Sequence, residues 1–93
     1  MYRERGEFPL AIQFLRRVVW KDPGDVASWA WLGYSYLMMD DVYNSRIAYQ
    51  QALFLSPDID DPYVWYGLGL LYERNQHHET AVRELFLSTV TKN

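Results

Sequence analysis

Trp29-Ala-Trp-Leu-Gly-Tyr-Ser-Tyr36 is the stretch of sequence that decides the fold. Four of its residues recur at i, i+3, i+4 and i+7, which places them on one face of a helix with a glycine in the middle. The same residue types return with the same spacing 36 positions later. The two sets are Trp29, Leu32, Gly33, Tyr36 and Trp65, Leu68, Gly69, Tyr72. A helical face that is written twice, with its glycine retained, indicates a repeated structural unit.

The composition is that of one small folded domain. The 93 residues are 49% hydrophobic and 17% aromatic, which is too apolar for a disordered segment. The net charge of -3 argues against a basic nucleic-acid-binding surface, so we expect no direct contact with nucleic acid. The absence of cysteine from the sequence excludes disulfides and thiolate metal sites. The chain shows neither a signal-peptide pattern nor an apolar stretch long enough to span a bilayer, so we expect a soluble protein without membrane contacts.

The repeat has a period of 34 residues that is lengthened once. Pro23 pairs with Pro57 at a step of 34, whereas Ser45 pairs with Ala81 at a step of 36. Two residues are therefore added between Pro57 and Trp65. Repeats of this length are helical hairpins that stack on their neighbours.

The apolar periodicity predicts five helices joined by short turns, which is an arrangement of antiparallel pairs. Pro9 would fall in the first turn of the first of them, where its missing N–H has no partner to lose. Residues 1–5 would be the tail of a preceding helix. Asp25 and Asp61 are expected N-caps, and Asp40 and Asp41 are expected to end one helix and cap the next. The helices are expected at about residues 7–21, 26–39, 43–55, 62–75 and 78–91.

Small residues are expected to let the paired helices approach closely. Gly33 should face Ser45 in one pair, and Gly69 should face Ala81 in the next. Gly67 and Gly69 each cost roughly 1 kcal/mol against alanine inside a helix. Their presence there indicates close packing of helices rather than helix propensity.

These residues resemble the signature of the tetratricopeptide repeat (TPR), Trp-x2-Leu-Gly-x2-Tyr followed by small, large apolar, small and proline positions. The resemblance implies an all-α fold, a TPR superhelix (α-solenoid) of antiparallel helix pairs. One domain would cover residues 1–93, with a partial first repeat at 1–25, a second at 26–59 and a third at 60–93. The matching residues beyond the two tryptophan-marked faces are Tyr2, Ala11, Leu15, Pro23, Ser45, Tyr49, Ala52, Pro57, Ala81 and Ser88.

A closer resemblance connects the chain with the fungal general transcriptional corepressors of the TPR class. It is carried by Tyr36-Leu-Met-Met-Asp-Asp41, by Ala48-Tyr-Gln-Gln-Ala-Leu-Phe54 and by residues 65–74. The resemblance implies a non-catalytic nuclear scaffold that bridges sequence-specific repressors and a WD40-repeat corepressor. It also implies that the chain is an internal piece of a longer array.

The resemblance further implies that the first helix of each pair lines a concave groove for a partner. The Lys and Asn residues with which some TPR domains clamp a carboxylate are absent, so an amphipathic helix or an apolar strand is the expected occupant. Alternatively, Tyr34 and Tyr66 pack only on each other or on neighbouring pairs. The inward positions are Ala27, Ala30, Tyr34, Leu37, Met38, Tyr63, Tyr66, Leu70, Glu73 and Arg74.

No catalytic, cofactor or metal site is expected. His77 and His78 are adjacent and would point about 100 degrees apart on a helix, without the second histidine of a zinc motif. The aspartates of residues 58–61 lack the glycine and the terminal glutamate of a calcium loop. Gly67-Leu-Gly69 lacks the preceding strand of a dinucleotide-binding loop.

Two other functions remain open for a TPR chain. It could be the substrate-binding arm of a larger enzyme, such as a glycosyltransferase or histone demethylase, or it could be a subunit of a ubiquitin-ligase assembly. Such chains would be cytoplasmic or nuclear. The first and last helices would present uncapped apolar faces, since terminal repeats normally carry a polar outer side. We therefore expect self-association through these terminal helices.

Overall fold

The computed structural model describes the backbone of residues 3–90 and the side chains of residues 7–85 and 87. These residues form four helices and no strand. The helices are α1 (Arg3–Lys21), α2 (Val26–Met38), α3 (Val42–Leu55) and α4 (Pro62–Val90). The expectation of an all-α fold is confirmed. The expectations for residues 1, 2 and 91 lie outside the described residues.

Helix α1 begins earlier than the sequence predicted. It starts at Arg3 rather than near Glu7, so residues 3–5 belong to it and Pro9 lies inside the helix. The prediction of a separate preceding helix is therefore wrong for these residues. Pro9 removes only its own N–H from the hydrogen-bond ladder, and the residues on both sides of it continue the helix.

Aspartates begin three of the helices, as expected. The Asp25 carboxylate accepts from the Ser28 backbone N–H at 3.3 Å, and the Asp41 carboxylate accepts from that of Asn44 at 3.2 Å. The Tyr63 backbone N–H donates to the Asp61 carboxylate at 3.0 Å at the start of α4. Each bond satisfies an N–H that the helix leaves without an intrahelical partner.

Helices α2 and α3 form a hairpin whose turn depends on one left-handed residue. Asp40 has a φ of 64°, a conformation that a short polar side chain tolerates better than most. The Ser45 hydroxyl donates to the Gly33 carbonyl at 2.8 Å, so the predicted approach of these two residues is confirmed. The ring of Tyr49 lies against Gly33, where an added Cβ would be 2.9 Å from ring carbons.

Two apolar clusters make up the core. One joins α2 and α3 to α4, and the other joins α1 to α2 and α3. Helix α1 therefore packs along α2, and α4 packs on both helices of the α2–α3 pair, so that successive helices stack in a row as in a helical-repeat solenoid. The buried members are Ala30, Leu37, Tyr49, Ala52, Val64 and Leu71 in the first cluster, and Val19, Leu32 and Ala48 in the second.

Trp29 and Trp65 occupy equivalent positions at the starts of their helices. The indole N–H of Trp29 donates to the Pro23 carbonyl at 2.8 Å. The indole N–H of Trp65 donates to the Ile59 carbonyl at 3.0 Å. Both bonds reach six residues back along the chain, and both pairs of residues are 36 positions apart. The predicted equivalence of the two tryptophan-marked helices is confirmed at their N-terminal ends.

Helix α4 continues where the sequence predicted a turn. The expected fourth and fifth helices are one helix of 29 residues, so the count of five is wrong for the described residues and Gly69 does not face Ala81. Residues 75–78 contain no glycine or proline. The Gln76 amide donates to the Tyr72 hydroxyl at 2.9 Å, a bond between residues i and i+4 that supports the continuous helix. None of the four described helices has the length and apolarity needed to cross a membrane.

Candidate protein-binding surface

Two of the predicted groove residues are part of the core. Leu37 is fully buried and Ala30 is nearly so, and both pack with Val64 and Leu71 of α4. Both side chains face α4, so neither is available to a partner in this conformation. Their role is to join the two helices whose other faces remain open.

One face of α2 is left open by these contacts. Ala27 and Trp31 are exposed, and Tyr34 and Met38 are half-buried beside the core. Their spacing of i, i+4, i+7 and i+11 places all four on one side of the helix. Trp31 was not among the predicted residues, although its sequence spacing from Ala27 and Tyr34 could have identified it.

Tyr34 is held by neighbouring rings. Its ring lies edge-on to Phe8 of α1 with a centroid distance of 6.1 Å, and edge-on to Trp31 with a distance of 6.0 Å. Edge-to-face pairs of this kind add to the stabilisation from buried area. Part of the Tyr34 ring therefore packs on a neighbouring helix, as the alternative interpretation of this residue expected. The rest of the ring remains accessible to a partner.

The matching face of α4 is more exposed. Tyr63 and Tyr66 are both exposed, and Leu70 is half-buried beside the core that α4 shares with α2. Glu73 continues this face toward the middle of the helix. We call the open residues of the two helices the aromatic face. Its members are Ala27, Trp31, Tyr34, Met38, Tyr63, Tyr66, Leu70 and Glu73.

Arg74 connects the two helices at one end of the aromatic face. Its guanidinium donates to the Leu37 carbonyl at 2.7 Å and lies 3.4 Å from the Asp40 carboxylate. The Leu37 carbonyl also accepts from the Asp40 backbone N–H at 2.9 Å, so the guanidinium adds a second bond at the C-terminal end of α2. Arg74 thus orients α4 against α2 and has a structural partner in place of a free charge.

Tyr49 of α3 contacts both α2 and α4. Its ring touches Gly33, and its hydroxyl occupies the place where a Cβ on Gly67 would be. The side chain is 1% exposed. Within the described residues the buried hydroxyl has no hydrogen-bond partner. Burial raises the pKa of Tyr49 from 10.0 to about 12, with a further contribution from the charge of Tyr34.

Replacing Tyr49 with phenylalanine should therefore raise the free energy of unfolding by about 1 kcal/mol near neutral pH, because a buried hydroxyl without a partner is costly. It should also remove a pH dependence. Since the pKa of Tyr49 is higher in the folded chain, the unfolded state loses the proton first. Wild-type stability is then unaffected by this group below about pH 10 and falls by about 2 to 3 kcal/mol as the pH passes 12.

Urea unfolding of both proteins between about pH 8 and pH 12 measures this effect. The difference in stability between the phenylalanine variant and the wild type should widen above pH 10. A difference that stays constant over the whole range would show that the Tyr49 hydroxyl is not buried as described.

The histidines and aspartates do not form a metal site in the described part of the chain. His77 and His78 are both exposed on α4. No three histidine, aspartate or glutamate side chains among residues 7–85 come close enough to share an ion. The carboxylates of Asp25, Asp41 and Asp61 act as helix caps, which is the structural role that the sequence suggested.

A second candidate surface is a concavity on another side of the α2–α3 hairpin, which we call the second concavity. It is bordered by the end of α1, by α2 and by α3, and the sequence analysis did not identify it. Trp20 is prominent in it because its ring is largely exposed. The residues around it are Arg16, Val19, Trp20, Pro23, Trp29, Leu32, Tyr36, Asn44, Ile47 and Ala48.

Comparison with known proteins finds two general transcriptional corepressors that are similar to this chain. The chain is 44% identical over 79 residues to the general transcriptional corepressor ssn6 of Schizosaccharomyces pombe. It is 37% identical over 81 residues to the general transcriptional corepressor trfA of Dictyostelium discoideum. These matches cover 85% and 87% of the chain. The chain is a tetratricopeptide-repeat protein that resembles these corepressors.

The TPR chain spans only a small part of these relatives. It corresponds to 7% of the length of ssn6 and 6% of the length of trfA. It is also 32% identical over 74 residues to the formate-dependent nitrite reductase complex subunit NrfG of Escherichia coli O157:H7, a match that covers 80% of the chain and 37% of NrfG. No family model matches the chain. No solved structure matches it either.

Proposed function

We propose that this TPR chain is a non-catalytic protein-binding scaffold of a nuclear transcriptional corepressor, and that its aromatic face binds an amphipathic helix or an apolar strand of a partner protein. The partners proposed are a WD40-repeat corepressor and sequence-specific repressors, which the scaffold would bridge. The similarity to ssn6 and trfA supports the corepressor role, since both are named general transcriptional corepressors.

One observation carries the proposal for the aromatic face. Tyr63, Tyr66 and Trp31 are exposed although α2 and α4 are packed along their buried sides. Exposed clusters of large apolar side chains mark interaction surfaces more often than scattered single residues do. Tyrosine and tryptophan are also the residues that most often dominate the energy of a protein interface, because they bury a large area with few rotatable bonds.

The spacing of these residues fits a helical or extended partner. Tyr63, Tyr66 and Leu70 follow one another along α4 with the i, i+3 and i+7 spacing of a single face. Trp31, Tyr34 and Met38 form the parallel row on α2. A partner that lies between the two rows would place its own apolar side chains against both, as in helix-in-groove recognition.

Replacing Tyr66 with alanine should weaken binding of a partner peptide by about tenfold or more. A tenfold loss of affinity corresponds to ~1.4 kcal/mol, and truncating an aromatic side chain in an interface commonly costs at least that much. The probe is a fluorescent peptide that contains the N-terminal helical segment of a WD40-repeat corepressor. Binding is measured by fluorescence anisotropy. Tyr66 is a suitable residue because it is 62% exposed, so its removal leaves the core intact.

Tyr43 provides the matched control. It is 65% exposed but lies on α3, away from the aromatic face, so Tyr43→Ala should leave the affinity unchanged. Loss of binding in Trp20→Ala with full binding in Tyr66→Ala would transfer the site to the second concavity. Equal binding by the wild type and by Tyr63→Ala/Tyr66→Ala, in a protein that remains folded, would contradict the proposal.

A further inference from the structure

The face of α4 that carries the repeat signature is uncovered. We call Trp65, Gly69 and Tyr72 the signature face of α4. Trp65 is 50% exposed and Tyr72 is 66% exposed. Among the described residues outside α4 itself, no atom lies within 4 Å of the place where a Cβ on Gly69 would be. The equivalent face of α2 is covered, because the Tyr49 ring of α3 lies on Gly33. The signature face of α4 therefore lacks a helix of the kind that α3 supplies to α2.

One side of α1 is also apolar and open. Among the described helices only α2 runs along α1, and the side of α1 that faces away from this contact carries Leu10 and Phe14. Leu10 is 67% exposed and Phe14 is 65% exposed. Ala11 and Val18 lie between them and the α2 contact and are half-buried. The spacing of these residues places all four on one side of the helix, and we call them the α1 stripe.

Helix α1 is the counterpart of α3 in the repeat. Ala11 and Leu15 precede Ser45 and Tyr49 by 34 positions. In the α2–α3 hairpin, Ser45 and Tyr49 are the residues that cover Gly33. Helix α1 therefore has a small and a large residue at the two positions with which a helix of this repeat covers a glycine-marked face.

We propose that the chain associates head to tail, with the α1 stripe of one copy packed on the signature face of α4 of the next copy. The two helices would be antiparallel, and α1 would cover α4 in the way that α3 covers α2. The contact joins two different surfaces, so each assembly keeps one open surface of each kind and can add a further copy. The inference does not depend on the proposed corepressor role.

The register of the contact follows from the α2–α3 hairpin. Gly33 lies opposite Ser45 there, since its carbonyl accepts from the Ser45 hydroxyl. The repeat steps of 36 and 34 positions convert this pair into Gly69 of one copy opposite Ala11 of the next. The described start of α1 then reaches the middle of α4, so residues 78–90 extend beyond the contact and take no part in it.

Phe14 would fill a defined place in this contact. It precedes Ala48 by 34 positions, and Ala48 is buried in one cluster with Leu32 of α2. The counterpart of Leu32 on α4 is Leu68, which is half-buried beside the core. Phe14 of the second copy would therefore pack beside Leu68, and its ring would be removed from water.

The charges at one end of the two surfaces favour a second copy as the occupant. Arg17 and Lys21 are exposed near the end of α1, and three aspartates are exposed before and at the start of α4. The register places the end of α1 beside this acidic turn of the next copy. Opposite charges that meet in this way favour head-to-tail contact over contact between two copies of the same surface. The aspartates are Asp58, Asp60 and Asp61.

Light scattering with size-exclusion chromatography tests the association. At high concentration and low salt the mean mass should rise beyond twice 11.1 kDa, and added salt should lower it by screening the exposed charges. Phe14→Glu and Tyr72→Glu should each remain at 11.1 kDa, since each variant loses one of the two surfaces. Trp20→Glu is the control, because Trp20 is 85% exposed on another side of α1, and it should associate like the wild type.

Mixing the two variants shows whether the surfaces are different. Phe14→Glu keeps the signature face and Tyr72→Glu keeps the α1 stripe, so an equimolar mixture should form a dimer of twice 11.1 kDa and nothing larger. A wild-type chain that stays monomeric or stops at a dimer would overturn the proposal. A mixture that stays monomeric, or either variant forming a dimer alone, would also overturn it.

Cross-linking tests the register. The natural sequence has no cysteine, so Ala11→Cys and Gly69→Cys each contain a single thiol. Oxidation of their mixture should give a covalent dimer that dithiothreitol reduces, whereas neither variant alone should cross-link. A cross-linked dimer of Gly69→Cys alone would show that two signature faces meet. That result, or a mixture that assembles without cross-linking, would contradict the contact proposed.

Discussion

Replacing Tyr49 with alanine is expected to lower the free energy of unfolding by about 3 to 5 kcal/mol, the usual cost of truncating a buried aromatic side chain. Tyr49 is 1% exposed and is the largest fully buried side chain among those described. It packs between Gly33 of α2 and Gly67 of α4, so its removal leaves a cavity where α4 meets the α2–α3 hairpin. A loss of this size is a large fraction of the stability of a small domain.

Thermal and urea unfolding measure this change. Tyr43→Ala is the control, because it removes a tyrosine of the neighbouring turn of α3 that is 65% exposed. A surface substitution of this type should change stability by less than about 0.5 kcal/mol. If Tyr49→Ala costs no more than Tyr43→Ala, then Tyr49 does not join α4 to the α2–α3 hairpin.

Replacing Gly67 with leucine should destabilise the chain by about 3 kcal/mol, at the upper end of the usual cost of overpacking. The backbone of α4 approaches Tyr49 so closely that even a Cβ on Gly67 would overlap the tyrosine hydroxyl. A leucine side chain would force α4 away from α2 and α3. That displacement would disrupt the packing of Val64 and Leu71 in the shared core.

Gly69 supplies the control within the same helix. Nothing in the described residues lies within 4 Å of a Cβ placed there, so Gly69→Ala should stabilise the chain by about 0.5 to 1 kcal/mol through helix propensity. The double variant Tyr49→Ala/Gly67→Leu should cost less than the sum of the single variants by at least about 1 kcal/mol, because the leucine can occupy the space that Tyr49 leaves. Additive effects would show that α4 does not approach Tyr49 at Gly67. A destabilising Gly69→Ala would show that the space beside Gly69 is not open as described.

The sequence predicted α2 and α3, and the starts of α2, α3 and α4, because helix starts depend on neighbouring residues. The capping bonds of Asp25 and Asp41 are made with residues three positions away. The contact between Ser45 and Gly33 followed from the repeat, since the two residues lie on facing sides of one short hairpin. The close packing that the glycines of α4 indicated was found at Gly67 and was absent at Gly69.

The candidate site was predicted less completely. The family pattern identified Tyr63 and Tyr66, which are open, but it also included Leu37, which is buried against α4. Trp31 was missed because the repeat signature leaves its position variable. Exposure depends on the angle at which α4 crosses α2, and that angle is a property of the packed helices.

By itself the sequence determined that the chain is helical, where three of the helices begin, and which residues repeat, since periodicity and capping act over a few residues. Only the tertiary structure decided that Tyr49 lies between Gly33 and Gly67, that Arg74 bonds to the end of α2, and that α4 continues past Asn75. These features depend on contacts between helices that are distant in the sequence, or on the choice between a turn and a continuous helix, and a few neighbouring residues do not specify either.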